Sequence, residues 1–313
     1  MEFSVNGNGV EAVQHIEVLG QDLRFRASDV RRERTGIHAR LSIIKGETLL
    51  AWTQCNVERS EDRTRLVNTA WEQFTSGSKD SIAEQAMPKP KMKHDFDIFA
   101  SQIWVQYLDA DSAQAVAGDP TMPIEFLAQP HVLLEGGTIM FAPPDRTKST
   151  TALLILVSVD AGISTLWPVR QAKAMYLNLE RGPKSIQRRI GHVNTALGQE
   201  PHRELLVYNS RGRSLRDVRD SVARAIDQHK VEFLVLDSIS RSGAGSLVED
   251  QPSNRVLDML NNLCPTWLAI AHTPRADETH AYGSQMWDAG ADIMVRLLRQ
   301  RKGDSLGIGL EIT

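Results

Sequence analysis

The chain has 313 residues, 41% of them hydrophobic, and a formal net charge of -3. That length suggests two domains, or one large domain with an appendage, and it is ample for burying a core. The mild charge gives no overall case for nucleic-acid binding, so any basic surface must be local. Cys55 and Cys264 lie far apart in apolar surroundings and read as buried free thiols of a reducing compartment. No Cys/His cluster points to zinc. The amino terminus lacks a charged-then-apolar signal peptide. The longest apolar run, Ala152 to Val159, is too short to span a bilayer. The expected location is therefore cytoplasmic, without membrane contact.

Residues 1 to about 12, rich in Asn, Gly and Ser, read as disordered. His15 to Ala27 alternates as a strand does. Arg31 to Arg40 is basic and reads as a solvated turn between strands. His38 to Ile44 and Thr48 to Cys55 read as strands joined at Lys45-Gly46. Ser60 to Phe74 places Leu66, Val67, Ala70, Trp71 and Phe74 on one helix face. These features predict a small β-rich domain over 1–77. Thr75 to His94 holds MPKPKMK and reads as an exposed linker, followed by a helix over Phe96 to Leu108. A linker and helical segment is thus expected over 78–119. Asp119 to Pro130 is punctuated by proline and reads as irregular.

From 120 to 313 strands and helices alternate, which predicts a mostly parallel sheet covered on both faces. The first unit is the most informative. Thr138 to Phe141 is an apolar strand, Ala142 to Thr147 is a tight loop, and Lys148, Ser149 and Thr150 open an apolar helix. A phosphate-binding P-loop has this layout, because backbone N–H groups and a helix N-terminus offer positive potential to a polyphosphate. Ala142, Pro143, Pro144, Asp145, Arg146, Thr147, Lys148, Ser149 and Thr150 are accordingly the candidate ATP-binding residues. Lys148 would reach the β/γ-phosphates and Ser149 would hold Mg²⁺. Ala142 and Thr147 stand where the usual pattern has glycines, and Thr is β-branched and resists the left-handed conformation. The same residues also fit a plain helix capped by Ser149 or Thr150.

Three further residues stand at the ends of predicted strands, where ligands bind in open α/β sheets. Glu180 closes MYLNLE and suits the base that polarises an attacking water. Asp237 closes VEFLVLD, the Walker B arrangement, and is a second candidate Mg²⁺ ligand. His272, in WLAIAHTPR, suits a γ-phosphate sensor, and Arg275 just beyond it suits a group that stabilises transferring phosphate.

Residues 120–313 resemble the RecA-like ATPases of the family that contains the plasmid helicase RepA and many phage ATPases, with DnaB-type helicases as more distant relatives. The resemblance rests on LLEGGTIMFAPPDRTKSTTALL, AMYLNLERGPKSIQRRI, VEFLVLDSIS and LAIAHTPRADETHAYGSQMWDAGADIMVRL, in family order. It implies a RecA-like core, Mg-ATP, assembly into a homo-oligomeric ring or filament, and helicase or recombination work on DNA, single strands preferred. It also implies Glu180 as general base and matches Gly283-Ser284. Ala142 and Thr147 depart from the family. An alternative function follows from them, a nucleotide-binding assembly protein with weak or no hydrolysis.

Overall fold

The computed structural model describes residues 1–6, 9–76, 82–110, 113, 115–243, 245–274, 277–303 and 305–313. Its contacts divide the chain into two compact units, Met1–Gly118 and Asp119–Thr313.

In the first unit, β1 (Glu2–Asn6), β2 (Gly9–Ile16), β3 (Gln21–Glu33), β4 (Gly36–Lys45) and β5 (Thr48–Asn56) form one antiparallel sheet in sequence order. Helices α1 (Ser60–Ser76), α2 (Ile82–Ala86) and α3 (Lys89–Ala110) follow. Strand alternation turns Val10, Ala12, Leu23, Phe25, Ala27, Leu41 and Ile43 to one face, where α1 and α3 cover them. Phe25 meets Phe96 edge-on, with ring centroids 5.4 Å apart.

Residues 2–6 and 9–12 are strands rather than disordered, because Val10 and Ala12 enter the core and their neighbours pair with β1. Only residues 34 and 35 separate β3 from β4, so Arg40 lies within a strand, its guanidinium 4.5 Å from the Trp52 ring. The stretch expected to be linker, Thr75 to His94, holds the end of α1, all of α2 and, from Lys89 onward, the start of α3. Pro90 sits in the first turn of α3, where its missing N–H costs nothing. Residues 77–81 of that stretch lie outside the described residues.

Asp97 of α3 joins α1 by an ion pair with Arg63 at 2.8 Å, and also binds Lys93 at 2.6 Å. Burial opposes its ionisation, but Lys93 and Arg63 outweigh burial and hold its carboxyl below the usual range. A depressed carboxylate stabilises the fold above its unfolded pKa of about 4 and loses that effect as pH falls. Asp97→Asn is therefore expected to lower the thermal midpoint at pH 7, with the gap to wild type closing towards pH 3. A gap independent of pH would contradict this.

The second unit begins with a small ribbon of β6 (Phe126–Ala128) and β7 (Val132–Leu133). Phe126–Ala128 falls in the stretch expected to be irregular, and it pairs with β7 instead. Then come β8 (Gly137–Ala142), α4 (Lys148–Ala161), β9 (Ala174–Asn178), α5 (Pro183–Ala196), β10 (Leu206–Asn209) and α6 (Leu215–His229). After them come β11 (Phe233–Asp237), α7 (Asp250–Leu263), β12 (Thr266–His272), α8 (Met286–Gly290), β13 (Ile293–Lys302) and β14 (Ser305–Ile312). The sheet order is β10-β9-β11-β12-β8-β13-β14, with all neighbours parallel except β13 and β14. Alternate residues of each central strand face two separate cores: Ile139 and Phe141 of β8 enter one, Met140 and Ala142 the other. Burial on both faces explains why these strands read as continuous apolar runs. This is the RecA-like P-loop α/β core, and the amino-terminal unit is β-rich. Among the described residues no helix is long and apolar enough to cross a membrane.

The strand order brings the candidate residues together. β12 lies between β8 and β11, and β11 lies between β12 and β9. The carboxyl ends of β8, β12, β11 and β9 therefore stand side by side, and Ala142 is the direct pairing partner of His272.

Candidate active site

The loop after β8 departs from ordinary backbone twice: Asp145 has φ 60° and Thr147 φ 66°, both left-handed. Thr147 thus occupies the conformation its branched side chain disfavours. The helix it precedes is not capped by Ser149 or Thr150. Thr147 is the N-cap residue, and it makes no side-chain capping hydrogen bond. Its carbonyl instead accepts the N–H groups of Thr150 at 3.0 Å and Thr151 at 2.9 Å. A non-glycine residue held there costs about 1–3 kcal/mol. Thr147→Gly is expected to raise the thermal midpoint, by about 2–4 °C for each kcal/mol of strain relieved in a domain of this size; a lower midpoint would contradict the assignment of strain.

Lys148 opens α4 and is 6% exposed. Its Nζ donates to the carbonyls of Ala142 at 2.6 Å and Pro143 at 2.7 Å. Burial brings its pKa down to about 8, against the pull of Asp237, Glu180 and Asp145. Ala142 and Pro143 thus stand beneath the amine and offer it carbonyls. On the same loop, Arg299 of β13 donates to the Asp145 carbonyl at 2.8 Å, and Arg146 lies 3.7 Å from Glu278.

Asp237 ends β11 and is 1% exposed. It accepts the Tyr176 hydroxyl at 2.6 Å. Burial pushes its carboxyl above the ordinary range, and the Tyr176 and Ser149 hydroxyls only partly offset this. The first helical turn after the loop lines the same cleft as the end of β11, two strands away from β8.

Glu180 lies just past β9. Its Oε1 accepts hydroxyls from Ser238 and, at 3.0 Å, from Ser240. Burial opposes its charge, but the two serines, helped by His272 and Arg181, hold its carboxyl below the usual range. It is therefore an anion at neutral pH. His272 ends β12, and burial followed by Lys148 lowers its pKa. Among the described residues its buried Nδ1 has no hydrogen-bond partner.

A cleft of about 250 Å³ is lined by residues 144–150, Glu180, Arg181, Arg189, Asp237 and His272. Lys148, Glu180, Asp237 and His272 therefore converge on one space. A second cleft, of about 440 Å³, adjoins it through Glu180, Arg181 and His272 and is also lined by Ser240 and Arg241. Arg275 lies outside the described residues. Sequence reasoning missed Tyr176, Arg181, Arg189, Ser238 and Ser240. Arg181 had a signal, since it directly follows the candidate base. Ser238 and Ser240 had a weaker one, two hydroxyls at i and i+2 after the strand-ending Asp.

A family model for the AAA domain matches residues 106–278, more than half of the chain. The chain belongs to the AAA domain family. No curated protein matches it. All four converging residues fall within the match, and as an AAA domain the chain carries a nucleotide-binding P-loop ATPase domain.

Such a domain implies ATP, typically with Mg²⁺, and the residues of this AAA domain fit both. Mg²⁺ takes hard oxygen ligands and is held through one or two carboxylates. Ser149 and Asp237 offer a hydroxyl and a carboxylate in the same cleft. Lys148, Arg181 and Arg189 line the same cleft and suit an anionic polyphosphate. The His272 Nδ1, without a partner among the described residues, is one buried polar atom left for a ligand to satisfy.

Proposed function

We propose that residues 119–313 hydrolyse ATP with Mg²⁺, and that the chain works as an oligomeric motor on DNA, of the helicase or recombination type. The observation that carries the hydrolytic part is the convergence of Lys148, Ser149, Glu180, Asp237 and His272 on one cleft. In this reading Lys148 takes phosphate oxygens in place of the Ala142 and Pro143 carbonyls. Ser149 and Asp237 would hold the metal, which would neutralise charge on the phosphates. Glu180 accepts the proton of the attacking water, and the products are ADP and phosphate. His272 hydrogen-bonds the terminal phosphate and registers its departure. Arg275 is the proposed second cation near that phosphate.

The DNA and assembly parts rest on the resemblance to RepA-type and phage ATPases. By the resemblance to RecA-like rings, the loop between β11 and α7 is the proposed DNA contact, and it starts at the candidate base's own partners, Ser238 and Ser240. Gly283 holds that loop against the segment after β12. At φ 127° a Cβ there would lie 2.3 Å from the Leu247 carbonyl oxygen, so only glycine fits. Ser284 in turn bonds Asp250. A cytoplasmic location belongs to the same proposal.

A second reading is a nucleotide-dependent assembly protein with weak or no turnover. Thr147 in a strained backbone and a Lys148 amine already satisfied by carbonyls favour it. Steady-state ATPase assays with and without single-stranded DNA separate the two. Turnover stimulated by the DNA supports the motor; intact nucleotide binding without turnover supports the assembly role.

A further inference from the structure

Glu180 is fixed by residues that the proposed chemistry does not use. Its backbone is set by Asn178, which is fully buried. The Asn178 Oδ1 accepts the N–H groups of Glu180 at 3.3 Å and Arg181 at 2.9 Å, and its Nδ2 donates to the Arg181 carbonyl at 2.7 Å. The Leu179 N–H donates to the Asp237 carbonyl at 2.9 Å, which ties this strand end to β11. What remains free is the side chain.

Two serines take that freedom. Ser238 and Ser240 both donate to Oε1, and their hydroxyls lie 2.7 Å apart. Between them Ile239 is buried in the core. The tight turn Ile239–Arg241 is closed by the Arg241 and Ser242 N–H groups on the carbonyls of Ser238 at 3.1 Å and Ile239 at 2.9 Å. One apolar anchor thus turns both flanking hydroxyls towards Glu180. Both donors fall on Oε1, which leaves Oε2 to receive a proton.

We propose that Ser240, together with Ser238, is a positioning residue for Glu180, holding one carboxylate oxygen so that the other meets the attacking water. This rests on the reading of Glu180 as the base. The segment 237–240 then sets both carboxylates of the site, Asp237 directly and Glu180 through the two serines. Ser240 also lines the larger cleft beside Arg241, so any displacement of the turn reaches the base.

Ser240→Ala is expected to lower kcat for ATP about tenfold, the scale of losing a group that orients a reacting one. KM for ATP and the Kd of a fluorescent ATP analogue stay within about twofold, because Ser240 does not line the P-loop cleft. Ser240→Thr, which keeps the hydroxyl, restores most of kcat. The decisive arm is the pair Glu180→Gln and Glu180→Gln/Ser240→Ala in single-turnover assays. A residue acting only through Glu180 has nothing further to remove, so the two rates match. An additional tenfold loss in the double variant, an unchanged kcat in Ser240→Ala, or a parallel loss of kcat and nucleotide affinity would each overturn the proposal. Turnover near wild type in Glu180→Gln alone would instead remove the base itself, and this role with it.

Discussion

Glu180→Gln is expected to stop turnover while leaving ATP bound. The carboxylate is held ionised by the hydroxyls of Ser238 and Ser240, against a burial that favours its neutral form. An amide has nearly the same shape, and its oxygen can still accept those hydroxyls. It cannot take a proton from water at neutral pH. Losing a positioned general base costs about 10²–10⁴ in rate, which is about 2.7–5.4 kcal/mol of barrier. Binding is expected to change little, because Lys148, Ser149 and Asp237 are untouched. Rapid-quench assays that measure bound ATP and ADP give the check: the variant holds ATP with almost no ADP. A kcat within threefold of wild type would assign the base elsewhere.

Lys148→Ala is expected to remove nucleotide binding and, with it, turnover. The Lys148 amine feels Asp237, Glu180 and Asp145, each of which raises its pKa while burial lowers it to about 8. Without it Asp145, Glu180 and Asp237 face the cleft opposite an incoming triphosphate, and the loop loses one charged donor. Hydrogen bonds to charged groups contribute about 1.5–3 kcal/mol each; losing two on phosphate oxygens predicts a Kd for ATP weakened about 10²-fold or more. Titration with a fluorescent ATP analogue reads this directly. Retained affinity with lost turnover would limit Lys148 to the chemical step. An unchanged enzyme would contradict its place at the phosphates.

The parts of the fold legible in the sequence are those where one local rule decides. Continuous apolar runs ending in Glu180, Asp237 or His272 announce buried parallel strands, and the Lys-Ser pair after a tight loop announces the phosphate end of a helix. Ser214 is readable as the cap of α6, and it forms a reciprocal capping pair with Asp217. Other features are decided by partners far away in sequence. β1 and the start of β2 look too polar to be ordered, yet pairing and two small apolar residues hold them in the sheet. The start of α3 is hidden by prolines that suit a first turn as well as a linker. Tyr176 looks like one more residue of a buried strand; its hydroxyl matters because Asp237, sixty-one positions on, lies against it. Thr147 belongs to a residue type that resists the left-handed backbone, and it sits there nonetheless. The helix contacts of its carbonyl and the anchoring of Lys148 outweigh the local cost.

The most direct measurement is a crystal structure of the Glu180→Gln variant with ATP and Mg²⁺. The triphosphate is expected in the cleft beneath residues 144–150, with Lys148 and His272 on its terminal phosphate and the metal on Ser149 with Asp237 beside it. The amide introduced at position 180 is expected to keep its bonds to Ser238 and Ser240. Nucleotide bound elsewhere, or a metal that ignores both Ser149 and Asp237, would contradict that placement.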